Sequence, residues 1–246
     1  MKQTSCSRRL VGMTLLFGII ALVLRKILYV AAVDARGLLL RNHPLGIALA
    51  ALTAAVLTVL VLSLRKVQKT GTYEEHYCAD LPAAFGNGAA GIGILATVLT
   101  GTTGMGGDLE TAWRLLGFGA PVCLILAGMA RIRGKKPFFL LHVAACLFFV
   151  LHIVNSYRLW SSNPQMQDYV FSLLGAMALM FFGFYTAAME AECGSVRMLL
   201  GTGLAAVYLC LAELARSSCP WLYLGGLLWV LTELCSLGNV QKNESM

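Results

Sequence analysis

Charge is what this sequence has least of. Of its 246 residues 13% are charged and 12 are acidic, where a soluble globular chain carries roughly 25% charged residues. So little charge cannot clothe a water-facing surface, which excludes an ordinary soluble domain. Also missing are C-x-x-C, G-x-S-x-G, H-E-x-x-H and the Walker pattern G-x-x-x-x-G-K-[ST], the spacings that would point to a redox pair, a serine hydrolase, a zinc peptidase or a nucleotide-phosphate loop. What is abundant is apolar: 58% of residues are hydrophobic and mean hydropathy is +0.75.

That hydrophobicity is blocked. Runs long enough to cross a hydrocarbon core, about 20 residues as helix, recur with short polar punctuation. They predict spans at 10–33, 44–64, 81–100, 113–130, 137–155, 169–189, 196–214 and 221–237. The runs are rich in Leu and Ala, about twice the length of a barrel strand, and lack in-out alternation, so helices are expected and a β-barrel is not. The predicted fold class is all-α: one polytopic transmembrane bundle of about eight spans over residues 1–246, without an internal repeat. MKQTSCSRR before the first run resembles the start of a signal peptide, but Arg25 and Lys26 stand where a cleavage region should be small and neutral, so retention as an anchor is expected.

Orientation follows from Lys and Arg. With the N-terminus inside, twelve of nineteen basic residues are cytoplasmic, RIRGKK (Arg131 to Lys136) foremost; Arg36, Arg41, Arg114, Arg158 and Arg216 are outside, and Arg25 and Lys26 lie within the first span. Both termini are therefore expected in the cytoplasm of a cell membrane, with Tyr29, Trp113, Tyr157, Trp160, Tyr169 and Trp221 as an outer aromatic belt. The net charge of +7 reads as topogenic charge facing anionic lipid, not as a nucleic-acid footprint. Eight cysteines, mostly in or beside spans, read as small apolar fillers.

GNGAAG, Gly86 to Gly91, matches the dinucleotide fingerprint G-x-G-x-x-G. A real fingerprint follows a buried strand and precedes a ribose-binding acid about 20 residues on. YCADLPAAF is a poor strand, so the glycines are assigned instead to packing. Gly86, Ala90, Gly93 and Thr97 line one helical face, and Ser172, Ala176, Gly183 and Ala187 line another. Such faces let a neighbouring helix approach closely.

Polar groups inside an apolar layer are costly and therefore informative. Arg25 and Lys26 sit about 22 Å of helical rise beyond Leu10, at a depth comparable to Glu213, which is the expected partner. The pair reads either as snorkelling and a simple ion pair or as an outward-facing site for an anion or carboxylate. Arg216 offers Glu213 a partner in its own helix. Glu233 reads as a buried hydrogen-bonding acid or as a proton carrier in coupled transport. Asn87 is expected to be packing glue. His142 and His152, ten residues apart on one helix, cannot share a metal and are expected to be hydrogen-bonded structural histidines; a haem held by one of them with a Met or His elsewhere is the alternative, and no cofactor is expected. HIVNSYRLWSSNPQMQDY brings Arg158 and Asp168 to the outer mouth, and VDARGLLLRNHPL brings Asp34; with Arg25, Lys26 and Glu213 these are the candidate ligand residues. YEEHYC crowds Glu74, Glu75, His76 and Cys78 too tightly to surround one zinc ion, so no metal or catalytic residue is assigned.

YVAAVDARGLLLRNHPL and SSNPQMQDYVFSLLGAMALMFFGFYTAAMEAECGSVRMLL resemble segments of uncharacterised multi-span proteins of gut-type Gram-positive bacteria. That resemblance implies an integral membrane protein and transfers no site residue. Two functional readings stand: a small-solute transporter or ligand sensor taking a small polar or anionic ligand, and a non-catalytic membrane subunit or regulator that contacts another membrane protein. A membrane enzyme ranks third. The expected surroundings are membrane lipids, and no nucleic acid.

Overall fold

The computed structural model describes residues 2–32, 43–65, 81–101, 107–161, 169–215 and 219–237. They form eight helices: α1 (Lys2–Ala31), α2 (Pro44–Leu64), α3 (Leu81–Thr100), α4 (Asp108–Ile132), α5 (Leu140–Trp160), α6 (Val170–Glu190), α7 (Val196–Glu213) and α8 (Pro220–Ser236). Seven are long and apolar enough to cross a membrane. The eighth, α8, has 17 residues, about 25 Å of rise against a hydrocarbon core of about 30 Å.

Helices α3 to α8 close a ring in chain order, with α8 packed back against α3. Helix α1 lies outside it on α7, and α2 against α1 and α7. The ring is filled. Trp229 of α8 meets Phe182 of α6 edge-on at 5.2 Å and stacks on His142 of α5 at 5.9 Å. Leu179, Phe148 and Tyr208 are fully buried nearby in the core. Helix α2 fully buries only Leu49, Val56, Leu60 and Leu64, a single stripe that Leu45 and Leu52 flank, and turns Ile47, Val59, Val61 and Leu62 outward as lipid contact requires.

Glycines set the closest approaches. A Cβ on Gly86 would meet the Thr232 hydroxyl and lie 3.0 Å from the Trp229 Cα; one on Gly93 would lie 2.5 Å from the Trp221 carbonyl, and one on Gly225 2.5 Å from that of Ala89. Helices α3 and α8 therefore touch backbone to backbone, as small residues permit in a bilayer. On α6, a Cβ on Gly183 would crowd Cys146 Sγ and Trp229 at 3.0 and 3.1 Å. Gly134, at φ 63°, ends α4 as a left-handed cap: Lys135 N–H donates to Ala130 O and Gly134 N–H to Arg131 O. Only glycine takes that conformation without cost.

Trp113 departs from the expected aromatic belt. Helix α4 starts at Asp108, five residues before the expected span, so Trp113 lies more than a turn inside it. It is 1% exposed and stacks on Phe148 at 6.2 Å. Tyr157 and Trp221 are exposed, and Trp160 stacks on Tyr169 at 4.2 Å. Cys123, Cys146, Cys193, Cys210, Cys219 and Cys235 are all free thiols.

Candidate functional site

Many hydroxyls in these helices are locally satisfied and offer little to a ligand. Thr14, Thr58, Thr97, Thr100, Thr186 and Thr232 each donate to the carbonyl four residues earlier, the usual settlement for threonine in an apolar helix. The demanding groups are charged, and they gather in two buried clusters at opposite ends of the bundle.

The first lies where α1 and α7 end. Arg25 Nη1 donates to the Glu213 carboxylate and, at 2.9 Å, to the Ala212 carbonyl. The guanidinium carbon stands 4.9 Å from the Phe171 ring centre and 5.7 Å from that of Tyr29, close enough for cation–π attraction. Beside it Tyr223 Oη donates to the Ser172 carbonyl at 2.9 Å, which leaves the Ser172 hydroxyl to donate back to Tyr223 at 2.6 Å. Arg25 and Glu213 are each 2% exposed, so the pair is enclosed.

Of the other expected ligand residues, two are described. Lys26, about 100° further round the helix, is exposed, as is Arg158 in the last turn of α5. Asp34, Asp168, Arg216 and the YEEHYC cluster lie outside the described residues.

The second cluster draws one side chain from each of five helices. Arg131 of α4 pairs with Glu233 of α8, Nη2 to Oε2, at 3.1 Å. Asn87 of α3 donates from Nδ2 to Glu233 Oε1 at 3.1 Å and to the Ala83 carbonyl at 2.9 Å. Asn87 Oδ1 lies 3.1 Å from His142 Nε2 of α5, and His142 Nδ1 lies 2.9 Å from Glu190 Oε2 of α6. None of the five is more than 2% exposed. The glycine contacts explain why so short a side chain as Asn87 reaches Glu233: Gly86 seats α3 directly on α8, while Gly128 of α4, where a Cβ would lie 3.1 Å from the Ala84 carbonyl, brings the Arg131 helix equally close to α3.

Arg131 and Glu190 were not among the expected site residues. Arg131 sits in RIRGKK and reads as a loop charge, but α4 runs on to Ile132 and its buried face, Gly117, Ala120, Leu124, Ala127 and Gly128, continues to Arg131. The stripe that marks Ser172, Ala176, Gly183 and Ala187 on α6 reaches Glu190 one step later. Extending each stripe to the end of its helix is the signal that finds both.

His152 corrects another expectation. It is 4% exposed and stacks on Phe148 at 5.9 Å, but its Nδ1 has no hydrogen-bond partner among the described residues. Ring stacking in a tight apolar setting replaces the expected hydrogen bond there. Among the described residues no three His, Cys, Asp or Glu side chains group so as to hold a metal ion.

Compared with protein-family models, curated proteins and solved structures, the chain matches none.

Proposed function

We propose that this chain is a multi-pass protein of the cell membrane, with both termini cytoplasmic, that transports or senses a small polar solute and uses a proton in doing so. The observation that carries the reading is the five-helix cluster of Arg131, Glu233, Asn87, His142 and Glu190. Ionisable groups within membrane helices are expensive, and by default they mark solute paths or proton relays. A bundle needing only mechanical stability could join the same helices through glycine contacts alone: Gly86, Gly93 and Gly225 between α3 and α8, Gly128 between α4 and α3, and Gly183 between α6 and both α5 and α8.

Orientation draws support from the basic residues. Removing buried Arg131 from the twelve assigned to the cytoplasm leaves eleven against five outside, still a clear positive-inside bias. The five-residue cluster then lies toward the cytoplasm and Arg25 with Glu213 toward the outside. Because Glu213 and Ala212 already occupy Arg25, a solute carboxylate would bind there by exchange with Glu213, with Lys26, Arg158, Asp34 and Asp168 as candidates for the approach. The subunit reading loses ground because the small-residue stripes it would offer a partner are occupied within the chain by Trp221, Thr232, Trp229 and Cys146.

Native mass spectrometry of gently extracted protein, with its visible absorption spectrum, tests the reading without a guess at the solute. A small polar molecule retained by the chain is the expected result. A chain that carries no small molecule but retains a second polypeptide would replace it with the subunit reading.

A further inference from the structure

We infer that the buried five-helix cluster is a binding site for one proton, seated between His142 Nδ1 and Glu190 Oε2. The inference rests on the proposed solute-handling reading for its role, but its argument is independent and comes from donors and acceptors.

Asn87 is the key. Its Nδ2 faces two acceptors, Glu233 Oε1 at 3.1 Å and the Ala83 carbonyl at 2.9 Å, and an amide nitrogen is a donor only. Its Oδ1, an acceptor only, therefore faces His142 Nε2, at 3.1 Å, so Nε2 must carry hydrogen. That leaves Nδ1, 2.9 Å from Glu190 Oε2. If Glu190 is a carboxylate, Nδ1 must donate and the ring is an imidazolium. If Nδ1 is bare, Glu190 must donate and is a carboxylic acid. Both arrangements hold one proton in the Nδ1 to Oε2 contact. Without it, an imidazole lone pair would face a carboxylate across a hydrogen-bond distance.

Charge counting gives the same answer. Arg131 contributes one positive charge, and Glu233 and Glu190 two negative; with the proton the cluster is neutral, without it one negative charge is left uncompensated. An uncompensated buried charge is strongly destabilising. The groups that face one another in the cluster are Arg131 from α4, Glu233 from α8, the Asn87 amide from α3, His142 from α5 and Glu190 from α6. The charge on α7 at this end, Arg197, is half-buried and donates to the Arg65 carbonyl. Glu233 accepts from Asn87 at Oε1, while its Oε2 lies 3.1 Å from Arg131 Nη2 as an ion pair and has no hydrogen-bond partner among the described residues; it acts as counter-ion.

The amide of Asn87 also links the proton to Glu233. Turned over, it would donate to His142 Nε2 and require a proton on Glu233 to satisfy Oδ1, with Glu190 a carboxylate bonded by Nδ1–H. The total number of protons is unchanged, so the same proton count fits either orientation of the amide, at the cost of the Ala83 bond, although the amide itself carries no proton across. Exchange with water would begin at Glu190 Oε1. That atom has no hydrogen-bond partner among the described residues and belongs to the residue preceding Ala191, which is exposed.

The test is spectroscopic, at neutral pH, on the full chain in lipid nanodiscs. Nitrogen-15 NMR of labelled histidine, assigned through His142→Asn, reads the ring; infrared spectroscopy reads a protonated carboxyl. The expected result is either a doubly protonated His142 ring or a carboxylic C=O band that disappears in Glu190→Gln. In Glu190→Gln the glutamine amide donates to Nδ1, so the ring should become singly protonated with the network intact. A native His142 with bare Nδ1 and no carboxylic band would overturn the proposal, and that observation needs no variant to fold. A doubly protonated ring that persists in Glu190→Gln would overturn the pairing with Glu190. A retained solute in mass spectrometry with no proton in these spectra would refute the proton site and the use of a proton but leave solute binding standing, whereas a proton with no solute would refute only the solute reading.

Discussion

Removing the charge of Arg25 alone should damage the protein more than removing Arg25 and Glu213 together. In Arg25→Met the Glu213 carboxylate is left 2% exposed, without the guanidinium that donates to it. Truncating one partner of a buried ion pair costs about 3–5 kcal/mol, and about 4 kcal/mol is about a thousandfold in the folding equilibrium. Glu213→Leu strands the cation instead, although the Ala212 carbonyl and the Phe171 and Tyr29 rings still shield it, so its cost should fall at the lower end of that range. The double variant carries no buried charge and places two apolar side chains of suitable volume in the gap, a replacement that is often neutral or stabilising. Reversible unfolding in mixed micelles, run as a double-mutant cycle, should therefore give a coupling close to the sum of the two single costs, about 7 kcal/mol with a neutral double variant. Additivity of the two singles within about 0.5 kcal/mol would refute the enclosed pair. If native protein retains a solute that the well-folded double variant lacks, exchange at Arg25 is also supported.

Two glycines one position apart from Asn87 should behave oppositely. Gly86→Ala drives a Cβ into Thr232 and Trp229 and should cost about 1–3 kcal/mol by overpacking, whereas a Cβ on Gly88 meets nothing within 4 Å and Gly88→Ala should stabilise α3 by about 0.5–1 kcal/mol; equal effects in thermal unfolding would refute the α3 to α8 contact. Tyr223→Phe removes the hydroxyl shared with Ser172 and should cost about 1–3 kcal/mol, because it leaves a buried group unpartnered. Lys136→Ala breaks a pair with Glu192 whose members are 36% and 59% exposed; it should change stability by less than about 1 kcal/mol. A cysteine in place of Lys135 should be protected from a membrane-impermeant thiol reagent in intact cells and one in place of Ser161 should react, in a cysteine-free background; the reverse would invert the proposed orientation.

The helices were readable because the property that makes them is local. A continuous apolar run about as long as the bilayer is thick has few alternatives, and α2, α3 and α7 begin where the hydropathy begins. The glycine faces were readable for a similar reason, since helical spacing places Gly86, Ala90 and Gly93 in line whatever surrounds them. Which helix each face meets was not readable. Gly93 meets Trp221 and Gly225 across more than a hundred residues of sequence, and that choice depends on ring closure between α3 and α8. Polar partners share this limit. Arg25 with Glu213 could be inferred from depth alone, because both fall within the predicted spans at comparable depth. Arg131 could not, because a basic residue beside RGKK looks like loop charge until the azimuth of α4 turns it inward.

The two ends of the bundle differ in what a proton can do to them. Arg25 and Glu213 are one cation and one anion, neutral as they stand. The opposite cluster has two acids, one arginine and an imidazole, and is neutral only with one proton more. Between them Trp229, Phe182 and Leu179 fill the ring, so no continuous polar column joins the clusters in this arrangement. A proton arriving at Glu190 could then act on the outer pair only by moving helices. Helix α8 is suited to transmit such a movement: it carries Glu233 at one end and Tyr223, bonded to Ser172 beside the Arg25 pair, at the other, with Trp229 stacked on His142 between them. Helix α8 is thus the element best placed to shift when the proton does.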